Sequence, residues 1–142
     1  MVSCLIPSKR ITKRSARVLI AEDDRVTRNA ARVALQLDGH LVAEANDGPA
    51  ALDIVRTEPP DVLLLDLDLP GIDGIALLVE IAARKLAIQV IVMTACREAG
   101  LAGDLMRLGA GGLLHKPVSA ADLMLSVQTA LEETGRPALS ES

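Results

Sequence analysis

The chain has 142 residues, half of them hydrophobic and 24% charged, which excludes a disordered or fibrous protein and suffices for one domain with its own core. Phe, Tyr and Trp are all absent, so the core must be aliphatic and no aromatic platform exists for stacking single-stranded nucleic acid. The formal net charge is −4, but Lys9, Arg10, Lys13, Arg14 and Arg17 crowd an acid-free start, which leaves ten basic against nineteen acidic residues (−9) over the remainder, a body that binds nucleic acid poorly.

In chain order, residues 1–16 open on a short apolar run broken by Ser3 and Pro7, with the positive charges behind it instead of ahead. This pattern fits neither a secretory signal nor a membrane span, and it reads as a flexible basic arm. Arg17–Ala21 is the first strand. Val26, Ala30, Val33 and Leu37 recur at helical spacing and predict an apolar helix face, stopped at Gly39. His40–Ala45 is a more polar second strand, and a helix over Asp47–Thr57 centres on Ala51, Leu52 and Val55 before Pro59-Pro60. Val62–Leu65 is the third strand; Ile75, Leu78 and Ala82 mark the next helix; Ile88–Met93 is the fourth strand. Leu101, Leu105 and Leu108 give a helix before Gly109, and Gly112–His115 a fifth strand. Ser119 stands as N-cap of a last helix carrying Leu123, Val127, Ala130 and Leu131. The domain is thus bounded at 17–134, with a frayed tail over 135–142.

Strands alternating with helices predict an α/β fold: a (βα)5 doubly wound parallel sheet, flavodoxin-like, in strand order 2-1-3-4-5. That order makes the two shortest or most polar strands, the second and fifth, the edges. Met93, Met106 and Met124 fall at aliphatic positions and read as core filler. Cys4 and Cys96 form neither a metal spacing nor a disulfide framework, which suits a reducing cytosol and a cytoplasmic protein. His40 reads as the opener of an edge strand, and His115 as packing or solvated.

In such a sheet a site lies beyond the carboxyl ends of the strands, at the switch between the first and third. After the first strand come Glu22-Asp23-Asp24, after the third Asp66 and Asp68, after the fourth Thr94, and after the fifth Lys116-Pro117. Each has an ordinary explanation alone. The acidic triplet can cap a helix, Asp66 can be a solvated loop residue, Thr94 an ordinary strand end, Lys116-Pro117 a turn. Together they place several carboxylates in one crevice, where like charges about 4 Å apart repel by about 4 kcal/mol at an effective dielectric near 20. A proton or a cation must relieve that, and an all-oxygen set suits Mg²⁺ or Mn²⁺. A carboxylate nucleophile, a cation, a lysine and a hydroxyl together describe phosphoryl transfer onto an aspartate.

The motifs VLIAEDD (18–24), VLLLDLDLPGIDG (62–74), VIVMTA (90–95) and LLHKP (113–117) resemble the receiver domain of two-component response regulators, in that family's order and spacing over residues 16–134. The resemblance implies that Asp66 is the phosphoacceptor. It implies that Asp23 binds Mg²⁺ directly and Glu22 through water, with Asp66 and the backbone carbonyl of Asp68 completing the ligands. Thr94 and Lys116 would contact the phosphoryl group, the Lys116–Pro117 bond would often be cis, and Asp24 would serve helix entry. The family's frequent aromatic switch residue is replaced by Leu113, and the aromatic after Lys-Pro by Val118. Any signal must therefore travel by backbone or aliphatic repacking. Asp68 and Cys96 occupy positions that tune phosphoryl lifetime in that family, and Cys96 reads as a small inert thiol.

The expected function is a stand-alone receiver, since no output domain fits the remaining chain. It takes a phosphoryl group from a sensor histidine kinase or histidine phosphotransfer protein and signals to a protein target through residues 97–134. It is expected to be a monomer or weak dimer with no turnover beyond its own phosphorylation and dephosphorylation. The rival enzyme reading is a phosphatase of the haloacid-dehalogenase type using Asp66 and Asp68. Leu69 in place of the usual Thr or Val, and the acidic pair lying upstream, count against it. A phosphorylation-independent pseudo-receiver should have lost site residues, and Glu22, Asp23, Asp66, Thr94 and Lys116 are all present.

Overall fold

Aliphatic runs covered on both faces become parallel strands, because helical crossovers bury both sides of the sheet. The computed structural model describes residues 15–133; the basic arm up to residue 14 and the tail over 135–142 lie outside the described residues. The strands are β1 (Arg17–Ala21), β2 (Leu41–Ala45), β3 (Val62–Asp66), β4 (Gln89–Thr94) and β5 (Gly112–His115), all paired in parallel in the order β2-β1-β3-β4-β5. The helices are α1 (Arg25–Leu37), α2 (Gly48–Thr57), α3 (Gly74–Ala83), α4 (Leu101–Arg107) and α5 (Ala120–Glu133). The predicted fold class and strand order are those observed, with strand ends shifted by about one residue.

Side-chain alternation along the strands divides the core in two. Leu19, Leu63, Leu65, Val90 and Val92 face α2, α3 and α4 through Ala51, Val55, Leu77, Leu78, Ile81 and Leu105. Val18, Ile20, Leu64, Ile91 and Met93 face α1 and α5 through Ala31, Leu35, Leu123 and Val127. Each Val, Leu, Ile or Met among them contributes about 1.5–3 kcal/mol when fully buried. Carboxylates and a serine start four of the five helices. Asp24 accepts from Thr27 N–H, Asp47 from Ala50 N–H, Asp73 from Ile75 N–H and Ser119 from Asp122 N–H. The turn after β3 needs glycine twice. Gly71 has a φ of +91°, and a Cβ on Gly74 would stand 2.8 Å from Leu67 Cα, so α3 begins directly against the loop leaving Asp66.

Several expectations require correction. The predicted face of α1 is the wrong one: Val26, Val33 and Leu37 are exposed, and Ala31, Ala34 and Leu35 are buried. The helix is apolar on two faces, and the one with small residues packs close to the sheet. In α3 the buried set is Leu77, Leu78 and Ile81, and Ile75 and Ala82 are exposed. Met106 is exposed, not core, because α4 turns it outward while Leu105 packs inward. His40 precedes β2 and is buried: its Nδ1 accepts Ala16 N–H at 3.0 Å, and its Nε2 lies 3.6 Å from Asp38 Oδ2. Ala16, assigned to the flexible arm, is likewise buried, and its carbonyl accepts Leu41 N–H. Leu123, Val127, Ala130 and Leu131 of α5 are buried as predicted.

Candidate functional site

Strand register brings the site residues to one rim. Ala21 pairs with Leu65, so Glu22 follows opposite Asp66. Asp66 pairs with Met93, so Thr94 stands one residue beyond, and Thr94 pairs with His115, so Lys116 comes next. Backbone bonds hold the exits: Glu22 N–H donates to Ala45 O at 3.0 Å, and Lys116 N–H to Thr94 O at 2.9 Å. The Lys116–Pro117 peptide bond is cis.

Glu22, Asp66 and Thr94 are buried, while Asp23 and Asp68 are exposed at the mouth. One carboxylate oxygen each from Glu22, Asp23 and Asp66 lie within 4.8 Å of one another. Lys116 Nζ reaches into this cluster, 2.7 Å from Glu22 Oε1 and 3.3 Å from Asp66 Oδ2. The Asp68 N–H donates to Asp66 Oδ1 at 3.0 Å, and the Asp24 N–H to Glu22 Oε2 at 3.1 Å. Thr94 Oγ1 accepts the Cys96 N–H at 3.1 Å, which leaves its single hydroxyl proton for another acceptor.

The electrostatics follow from burial. Desolvation pushes the Glu22 carboxyl above its ordinary value and the Asp66 charge adds to this, against the pull of Lys116 and the Asp24 N–H. Burial works against the Lys116 ammonium, but Glu22 and Asp66 outweigh it and hold it above its ordinary value. Glu22 Oε1 is buried and faces the Lys116 ammonium at 2.7 Å. Three carboxylates converging at one rim make a hard, all-oxygen donor set, which suits Mg²⁺ with water in its remaining positions. Glu22, Asp23 and Asp66 can hold such an ion, and the Asp68 backbone is tied alongside them.

Every residue singled out for the site thus reaches the same rim. Leu113 is half-buried against the core on the α2–α4 side, with no ring available to swing. A cleft of about 480 Å³ between α1 and α5, lined by Val26, Ala30, Met93, Pro117 and Val118, opens beside Lys116. One participant escaped the sequence reading. Arg28 Nη1 donates to the Glu22 carbonyl at 3.0 Å, while its Nε pairs with Glu44 Oε1 at 3.1 Å. The spacing of Arg28 one turn after Asp24 is visible in sequence, but its partner on β2 is not.

Comparison with known proteins bears on this geometry. The family model described as the response regulator receiver domain matches residues 18–128. Response regulator MprA of Mycobacterium bovis is 30% identical over 128 residues, 90% of this chain and 56% of that protein. The transcriptional regulatory protein PdtaR of Mycobacterium tuberculosis is 34% identical over 116 residues, 81% of this chain and 56% of that protein. The chain therefore spans about half the length of these curated relatives. Among solved structures, the receiver domain of the Francisella response regulator 1452 superposes with a TM-score of 0.80 at 27% identity, covering 84% of this chain and 98% of that one. NtrX from Brucella abortus gives 0.79 at 29% identity, covering 85% of this chain and 28% of that one. The phosphatase reading gains no support from any of these.

Proposed function

The chain belongs to the response-regulator receiver family, and from that premise we propose that Asp66 accepts a phosphoryl group from a histidine kinase or histidine phosphotransfer protein. The domain is a phosphoacceptor and not a turnover enzyme. The observation that supports the reading best is Lys116 Nζ reaching both Glu22 and Asp66 in a crevice where three carboxylates converge.

An oxygen of the Asp66 carboxylate attacks the phosphorus of a phosphohistidine. The new P–O bond forms as the P–N bond breaks, the electron pair leaves with the imidazole nitrogen, and an acyl phosphate remains on Asp66. Held by Glu22, Asp23, Asp66 and the Asp68 carbonyl, Mg²⁺ (or Mn²⁺) would neutralise charge on the phosphoryl oxygens. Once the Asp66 charge is spent in the new bond, Lys116 is released to pair with a phosphoryl oxygen as a mobile point charge. The Thr94 hydroxyl donates its free proton to another such oxygen. Hydrolysis reverses the state: water attacks the phosphorus, inorganic phosphate leaves, and the carboxylate returns. Asp68 and Cys96 flank this chemistry. The state is read by a protein partner on the face over residues 97–134, through backbone and aliphatic shifts, because Leu113 provides no ring.

The test is intact mass after incubation with acetyl phosphate and Mg²⁺, beside Asp66→Asn and an EDTA control. One Mg²⁺-dependent phosphoryl adduct, absent from Asp66→Asn, is the expected outcome. Release of phosphate over many turnovers from a phosphomonoester would overturn the reading in favour of a phosphatase. An inert wild type that also takes no phosphoryl group from phosphohistidine donors would make the chain an interaction module.

A further inference from the structure

The bend between β1 and α1 carries Glu22 and Asp23, and exposed bends keep a fixed direction only where their peptide groups are tied down. The Glu22 peptide nitrogen is tied to Ala45 O. The carbonyl on its other side is tied to a side chain, accepting from Arg28 Nη1 at 3.0 Å. Arg28 is itself anchored, since its Nε donates to Glu44 Oε1 at 3.1 Å, and the second oxygen of Glu44 takes Arg32 Nε at 3.3 Å. A chain of contacts therefore runs from Arg32 through Glu44 and Arg28 to the Glu22 carbonyl. It links α1 and the end of β2 to the acidic bend.

We propose that Arg28 is a positioning residue for the cation-binding carboxylates. A peptide group is planar, so holding the Glu22 carbonyl also fixes the following Asp23 N–H and the direction in which the Asp23 Cα leaves. Both carboxylates project from the two residues joined by that peptide. The rigid guanidinium fork suits this task, because Nε and Nη1 serve two acceptors at once; an ammonium carries the same charge without the fork. The inference rests on the phosphoacceptor reading for its purpose, and on the contacts alone for its geometry.

Charge and bracing predict opposite signs. Arg28 is a cation near a cation site, so electrostatics alone make Arg28→Ala bind a divalent ion more tightly. Loss of bracing makes it bind more weakly, about tenfold, as is typical when a group that orients metal ligands is removed. The experiment measures Mn²⁺ affinity by electron paramagnetic resonance for the full chain, Arg28→Ala, Arg28→Lys and Glu44→Gln. Amide hydrogen exchange of Asp23 and Asp24 in EDTA and thermal melting accompany it. Expected are weaker Mn²⁺ binding in Arg28→Ala and Arg28→Lys, a smaller loss in Glu44→Gln, and faster exchange in EDTA. In acetyl phosphate labelling, the Mg²⁺ needed for half-maximal rate rises, while the rate at saturating Mg²⁺ stays within about twofold. Unchanged or tighter Mn²⁺ binding in Arg28→Ala, or full affinity in Arg28→Lys, overturns the proposal, whatever the melting temperatures. If the wild type binds no Mn²⁺, the phosphoacceptor reading fails instead, and the exchange data in EDTA still decide whether Arg28 braces the bend.

Discussion

Asp66, Glu22 and Asp23 hold carboxylate oxygens within 4.8 Å of one another, a separation at which two full charges repel by about 3–4 kcal/mol at an effective dielectric near 20. Lys116 offsets part of this repulsion, while burial first and the Asp66 charge after it hold the Glu22 carboxyl above its ordinary value. Replacing Asp66 by Asn keeps an acceptor for the Asp68 N–H and removes one charge. In EDTA at neutral pH, Asp66→Asn should therefore be more stable than wild type by about 1 kcal/mol. Millimolar Mg²⁺ should narrow that gap, because an ion that binds only the native wild type stabilises it by mass action. Thermal melts with and without Mg²⁺ check both statements; equal melting in EDTA would mean that a proton already relieves the cluster. These residues were readable because each lies at or just beyond the carboxyl end of a strand. Arg28 was not, since its acceptors lie on the Glu22 backbone and on Glu44 of β2.

Helix α1 makes a sharper lesson in packing. Three of its four larger apolar residues, Val26, Val33 and Leu37, are exposed, while the fourth, Leu35, faces the sheet with Ala31 and Ala34. Periodicity identifies a stripe but cannot choose between two stripes on one helix; close approach to the sheet favours the smaller side chains. Leu35→Ala should cost about 2–5 kcal/mol by opening a cavity, whereas Val33→Thr should stay within about 0.5 kcal/mol. Denaturant unfolding measures both. His40 shows the same gap between chain and fold. Its imidazole accepts the Ala16 N–H, so His40→Ala leaves a buried donor unpaired at a cost of about 1–3 kcal/mol, besides its lost packing. In sequence, nothing distinguishes His40 from a solvated residue at a strand edge.

Across the molecule, charge pairs link neighbouring helices at the surface. Glu80 on α3 pairs with Arg84, the C-cap of that helix, and with Arg56 of α2, at 3.3 Å for the latter. Arg84, then Arg56, hold the Glu80 carboxyl below its ordinary value of 4.5. A carboxyl depressed on folding contributes stability that is fully present above the unfolded value and lost as pH falls through the lower folded value. Glu80 is partly exposed at the surface, so its contribution is small and sensitive to salt. Glu80→Gln should melt slightly below wild type at pH 6, with the difference shrinking as pH falls below 4.5 or as salt is raised. A difference that molar salt leaves unchanged would assign it to packing. Among the described residues no helix is long and apolar enough to cross a membrane.

Strand number, parallel order and the rim that carries Glu22, Asp66, Thr94 and Lys116 all follow from local chemistry. Short aliphatic runs separated by helical spacing can bury both faces only as a doubly wound sheet, and residues leaving parallel strands at one end must meet. The choice of helix face, the burial of His40 and Ala16, and the brace from Arg28 to the acidic bend depend instead on distances between segments far apart in the chain. Periodicity carries no information about those distances, because they are set by how closely each layer settles on the next.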